Sequence, residues 1–196
     1  MHIWCRKIIG ARYYYLGYEN LFGPIDEKED YKSARDKDGH GTHTASTVAG
    51  RAVANASALG GFANGTAVGG APFARLAIYK ACWPIKGQSK DEGNMCTRVD
   101  MLKAIDDAIG DGVDVLSISI GFPEALSYEE DGIAMGAFHA VRKNIVVVCS
   151  AGNRGPSPQT LSNPAPWILT VGASTLDRSF VAPVELRNGT LIEVKN

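Results

Sequence analysis

The stretch Asp38-Gly39-His40-Gly41-Thr42-His43-Thr44-Ala45 sets two imidazoles across a Gly-Thr pair and continues in small residues through Ser46, Thr47, Val48, Ala49 and Gly50. Imidazole titrates near neutral pH, so a histidine held by packing and open on one edge can take up and return a proton during catalysis. A helix whose first turns carry almost only small side chains lets a second backbone, or a substrate, come close to such a ring. Two solvated histidines in a glycine-rich turn would look the same in isolation. The choice between these readings depends on the elements around them.

Those elements alternate. Ile8 to Tyr15 is strand-like, Asp26 to Asp38 reads as an exposed charged loop, and a small-residue helix is expected from Thr42 toward Ala54. Residues Ala56 to Ala71 carry so few large side chains that they are expected to form a loop lying close against something. Arg75 to Ala81 reads as a buried strand, and Trp83 to Met95 as a polar loop. Thr97 with Asp100 offers a capping box for a helix with Met101, Leu102, Ile105, Ala108 and Ile109 on one face. Val113 to Ile120 is the next strand, closed by Gly121 and Pro123. Ser127 with Glu130 is expected to cap a second helix, with Ile133, Ala137, Ala140 and Val141 inward. Ile145 to Cys149 and Ile168 to Ala173 complete the strands, separated by a turn-rich stretch holding Pro156, Pro158, Pro164 and Pro166.

Near-continuous apolar strands alternating with helices predict an α/β fold, a parallel sheet with helices on both faces. Ligands in such sheets gather beyond the carboxyl ends of the strands. That points to Ser119, Ile120 and Gly121 after one strand, and to Ser150, Ala151, Gly152 and Asn153 after another. The expected organisation is a polar and aromatic segment at 1–36, an α/β core at 37–175 and a lead-out at 176–196.

Charge excludes some functions. The 196 residues hold 20 Lys and Arg against 21 Asp and Glu, a net charge of −1, and the two signs alternate along the chain. No nucleic-acid or anionic-lipid grip is expected from that pattern. No apolar run approaches a membrane span, and Met1 to Arg6 lacks the apolar core of a signal peptide. The four cysteines, Cys5, Cys82, Cys96 and Cys149, lack metal-ligand spacing. Cys82 and Cys96 flank the polar loop and are the candidate disulfide, whereas Cys149 reads as a buried thiol. Asn55, Asn64 and Asn188 head Asn-x-Ser/Thr sequons and are candidate glycosylation sites.

Four blocks in one order carry a family resemblance: Asp38 to Thr47, Gly69-Gly70-Ala71-Pro72, Asp111 to Gly121, and Cys149-Ser150-Ala151-Gly152-Asn153-Arg154-Gly155-Pro156. Together they resemble the subtilisin-like serine peptidases, and most of all the plant-type subtilases. The resemblance implies that His40 is the general base and His43 a structural residue. It implies that Asn153 donates its side chain to the developing oxyanion. Residues 117–121, with Ser117, Ser119, Ile120 and Gly121 named as substrate-binding, would form one wall for an extended peptide or protein substrate. Ser150, Ala151 and Gly152 would line the specificity pocket opposite. No metal or cofactor is expected, and the family places the protein outside the cell.

The family's mechanism needs Asp, His and Ser in that chain order. Asp26, Asp30, Asp36 and Asp38 lie in polar sequence without the Asp-Thr/Ser-Gly turn at a strand end, and no Gly-Thr-Ser-Met occurs. Gly65-Thr66-Ala67 is a superficial lookalike inside another block. The expectation is an interior slice of a longer peptidase, incomplete at both ends and inactive alone. The alternative is a non-catalytic peptide- or protein-binding remnant. An α/β nucleotide-binding protein is disfavoured, because the glycines at 60–70 are followed by no Lys-Ser/Thr and open no helix from a strand.

Overall fold

The computed structural model describes residues 7–88, 93–122, 126–175 and 181–195. Met1 to Arg6, residues 89–92 of the expected polar loop and the strand-closing Pro123 lie outside them. In chain order the elements are β1 (Ile8–Tyr13), α1 (Leu16–Phe22), α2 (His40–Ala49), β2 (Val53–Ala58), β3 (Phe62–Ala67), β4 (Leu76–Lys80), β5 (Cys82–Trp83), β6 (Met95–Cys96), α3 (Arg98–Asp111), β7 (Val115–Ile118), α4 (Gly132–Val141), β8 (Val146–Ser150), β9 (Leu169–Val171), β10 (Val181–Glu185) and β11 (Leu191–Lys195). The class is α/β. β7, β8 and β9 form a parallel sheet in that order, and β1 pairs in parallel with β4.

Period-two alternation decides what the three-stranded sheet buries. Leu116, Val147 and Cys149 point onto α3 and α4, where they meet Met101, Ala104, Ile105, Ala108, Ile133, Ala134, Ala137 and Ala140. Burial pushes the free Cys149 thiol up to about 12, with the charge of Asp131 adding to the effect. The opposite residues, Val115, Val146, Leu169 and Val171, are each at least half exposed, so that face is open to solvent. The helices approach each other closely: a Cβ on Gly136 would stand 2.9 Å from the Ile105 side chain.

Caps place the two helices. The Thr97 side chain accepts from Asp100 N at 3.3 Å, as the sequence implies. α4 differs from expectation: its cap is Asp131, which accepts from the backbone N–H groups of Ile133 (2.8 Å) and Ala134 (3.1 Å). Ser127 and Glu130 hydrogen-bond to each other one turn upstream. Val141, expected inward, is 38% exposed because it falls at the helix end.

α2 begins at His40 and stops at Ala49, short of Ala54, because the 69–71 segment takes the last helix carbonyls: Gly70 N donates to Thr47 O (2.9 Å) and Ala71 N to Val48 O (2.8 Å). Gly69 permits this approach, since an added Cβ would lie 2.4 Å from Gly50 N. The small-residue stretch after α2 is an exposed β2–β3 hairpin rather than a loop packed on a surface. Its turn is built on Gly60 and Gly61, both at positive φ. The 83–95 segment is not uniformly polar: Trp83 is fully buried and donates its indole N–H to Tyr14 O at 2.7 Å. Cys82 and Cys96 face each other on paired β5 and β6 and form a disulfide. The 176–196 region contains the β10–β11 hairpin.

Polar contacts fasten the β1–β4 pair and α1 to α3. Arg12 bonds Asp111 through Nε and Nη2 (3.1 and 2.7 Å), and the Tyr79 hydroxyl donates to the same carboxylate at 2.8 Å. The Tyr14 hydroxyl donates to Asp107 at 2.9 Å. The buried Asp100 carboxylate accepts from Gly17 N (3.0 Å), Tyr18 N (2.9 Å) and the Thr97 hydroxyl (2.8 Å), which pins the start of α1.

Asp100→Ala strands two buried N–H groups and should lower unfolding stability by about 3 kcal/mol, read as a fall in the urea midpoint at unchanged slope. Reducing the disulfide, whose cysteines are 14 residues apart, should cost about 3 kcal/mol on the loop-entropy model, measured by paired melts with and without dithiothreitol.

Candidate active site

α2 opens where the chain turns through Gly39 at φ 105°, a left-handed conformation that a Cβ would strain. The first N–H groups of a helix lack partners inside it, and here two carboxylates supply them. Asp36 accepts from Gly39 N (2.9 Å), Thr42 N (2.7 Å) and the Thr42 hydroxyl (2.6 Å), while Asp38 accepts from His40 N (3.1 Å). Burial opposes ionisation of Asp36, but these hydrogen bonds outweigh it and hold the carboxyl below its ordinary 3.8. The aspartates preceding His40 thus form the collar of its helix.

The collar is braced from beneath. The loop from Asp26 to Asp38, expected to be exposed, buries Asp30 at 3% exposure and pairs it with Lys80 of β4 at 2.7 Å. The same ammonium donates to Arg35 O (2.8 Å) and lies 4.3 Å above the Trp83 ring. His40 itself is exposed at the first turn, and its ring makes no hydrogen bond or ring contact among the described residues. His43 is exposed one turn on, with its N–H bonded to Gly39 O at 3.0 Å.

The second group of residues follows the strands. Ser117 lies within β7 on its exposed face, and Ser119, Ile120 and Gly121 leave its carboxyl end. Ser150 ends β8, followed by Ala151, by Gly152 at φ 90° and by the exposed Asn153. Ala151 N donates to Val171 O (2.9 Å), which continues the sheet pairing past the last β8 residue. The strand-end segments approach each other through residues that sequence reasoning missed. Ser162 N donates to Ala151 O (2.9 Å) and its hydroxyl to Phe122 O (3.1 Å). The Asn163 carboxamide donates to both Ile120 O (2.8 Å) and Ser150 O (2.9 Å). In the sequence this region showed only prolines and turn formers.

The structure therefore joins the 120–122 and 150–152 segments into one unit. No hydrogen bond or ring contact links His40 to Asn153 or to either strand end among the described residues. Nor do those residues contain a group of three or more His, Cys, Asp or Glu side chains that could hold a metal ion. Asn55 and Asn64 are exposed on the β2–β3 hairpin, and Asn188 is exposed in the turn between β10 and β11.

Comparison with known proteins decides the family. A model described as the subtilase family, Peptidase_S8, matches residues 7–191. The chain belongs to the subtilase family. It is 64% identical over 190 residues to the subtilisin-like protease SBT5.6 of Arabidopsis thaliana, covering 96% of this chain and 24% of that protein. SBT5.5 of the same plant is 60% identical over 190 residues with the same shares covered. Among solved structures, Sphericase matches with a TM-score of 0.51 at 25% identity, covering 84% of this subtilase chain and 46% of that one. The chain spans about a quarter of the length of the curated relatives it matches.

The collar around His40 makes a pH prediction. The pKa of Asp36 is depressed in the fold, so its contribution is present above the unfolded carboxyl pKa and is lost as pH falls through the lower folded value. The Gly39 and Thr42 amide resonances should move together with that acid titration, below the ordinary carboxylate range. In Asp36→Ala the step should be absent and the first turn of α2 should exchange faster at neutral pH.

Proposed function

We propose that this chain carries the proton-transfer and oxyanion-binding half of a subtilase peptidase site. His40 is the general base that takes the nucleophile's proton and returns it to the leaving amine. Asn153 donates its side-chain N–H to the oxyanion that forms on the scissile carbonyl. An extended substrate lies against residues 117–121, while Ser150, Ala151 and Gly152 border the side-chain pocket. The observation that supports this most is positional: His40 stands exposed at a carboxylate-collared helix start, and the other named residues sit at or near the carboxyl ends of adjacent parallel strands.

The orienting aspartate and the acylating serine are not recognisable within these 196 residues: Asp36 and Asp38 are engaged in capping α2, and Asp30 is paired with Lys80. By itself the chain is a peptide-binding segment without turnover. Removing the serine or the histidine costs about six orders of magnitude in subtilisin, where the two act as a unit. We assign it to the secretory route: the Cys82–Cys96 disulfide fits an oxidising compartment, and the sequons at Asn55, Asn64 and Asn188 are exposed for glycosylation.

The test grafts residues 7–191 into SBT5.6 in place of its matching segment and assays peptide hydrolysis. An active chimera should lose about six orders of magnitude in kcat on His40→Ala. It should lose two to three orders, roughly, on Asn153→Ala, as for the corresponding asparagine in subtilisin. An active chimera indifferent to His40→Ala would overturn the assignment. The unaltered 196-residue chain should bind an extended peptide, seen as amide shifts at 119–121 and 150–152, and release no product.

A further inference from the structure

Two strand ends that flank a substrate must be held at a set separation, and where the ladder runs out other groups must do the holding. Ile120 O lies beyond the end of β7 and Ser150 O belongs to the last residue of β8, and one side chain serves both. Asn163 is 4% exposed, and its amide nitrogen lies 2.8 Å from Ile120 O and 2.9 Å from Ser150 O. A primary amide offers two N–H donors from one atom, so it spans two acceptors at once. The residue is itself held: the Thr170 hydroxyl donates to Asn163 O at 2.5 Å, and the backbone sits at φ 54°.

Ser162 fills the space alongside. A Cβ on Gly121 would lie 2.8 Å from Ser162 Cβ, and one on Gly152 would lie 2.7 Å from its Oγ, so both strand ends close down on this serine only because they carry glycine there. With Ser162 N bonded to Ala151 O and its hydroxyl to Phe122 O, the dipeptide makes four hydrogen bonds across the two segments.

We propose that Asn163 is a positioning residue, a carboxamide clamp that sets the spacing of the two cleft walls and, through Ser150 and Gly152, the aim of Asn153. This rests on the cleft assignment of the preceding section. A purely local role is the competing account, because asparagine is common at positive φ whatever its side chain touches. Two variants separate them. Asn163→Gly suits the backbone conformation and removes both donors. Asn163→Asp also tolerates it, but as a carboxylate it turns acceptors toward two carbonyls, and when protonated it restores one donor.

The experiment is NMR on the 196-residue chain. In Asn163→Gly, the Gly121 and Phe122 amides should shift and protection of the Ala151 and Ser162 amides should fall about tenfold, with Val147 and Ala137 protected as in the wild type. Asn163→Asp should show the same change at neutral pH and return toward wild type as the introduced carboxyl is protonated. Peptide-induced shifts at 119–121 and 150–152 should need at least tenfold more peptide in Asn163→Gly. Wild-type behaviour of Asn163→Gly, or an equal loss of protection at Val147 and Ala137, overturns the clamp. A wild-type chain that responds to no extended peptide overturns the cleft reading instead, and is recognised because the shift and protection data do not depend on peptide.

Discussion

The register of β8 is the constraint on which the rest depends. Paired in parallel with β7 through Val115↔Val146 to Ile118↔Cys149, and with β9 through Val148↔Leu169 to Ser150↔Val171, it commits Val147 and Cys149 to the helices. A slip of one residue would turn Val146 and Val148 inward and reverse the side on which Ser150 points. Burial of two apolar side chains thereby decides where the polar end of the strand emerges. The alanines and Gly136 of α4 let that helix pack against α3 closely enough to enforce this choice.

His40 is positioned by different physics. Its helix rests on few large side chains, and α2 buries only Ala49. Hydrogen bonds to fixed charge do the orienting instead: Asp36 and Asp38 collar the helix start, and Lys80 holds the preceding loop through Asp30 and Arg35 O. A buried ion pair adds little net stability once desolvation is counted, but it strongly penalises any geometry that separates the partners. The start of α2 gains definition from such a pair even where it gains little free energy.

Among the described residues, α3 and α4 cover one face of the β7–β8–β9 sheet and the other face is exposed. Val115, Val146, Leu169 and Val171 form an apolar surface of the kind that parallel sheets ordinarily cover. In the same spirit, the β2–β3 hairpin carries Leu59 at 85% and Phe62 at 52% exposure.

Periodicity and motif order were enough to determine the α/β class, the parallel strands, the helix with its Thr97 cap, and the family, because each is written in local spacing. The Gly60-Gly61 pair likewise marks the β2–β3 turn by its residue types alone. Other features left no local trace. Asp30 looked solvated until Lys80, fifty residues on, met it; the Ser127-x-x-Glu130 box lost its helix to Asp131, which better serves the buried start of α4. The clearest case is Asn163, a turn residue among prolines by sequence and a buried bridge between two strand ends by structure. Sequence alone determined which elements form and which residues follow them, since those depend on near neighbours. Tertiary structure alone decided which carbonyls, carboxylates and ammonium groups must be paired, since that need arises only when distant segments exclude water from one another.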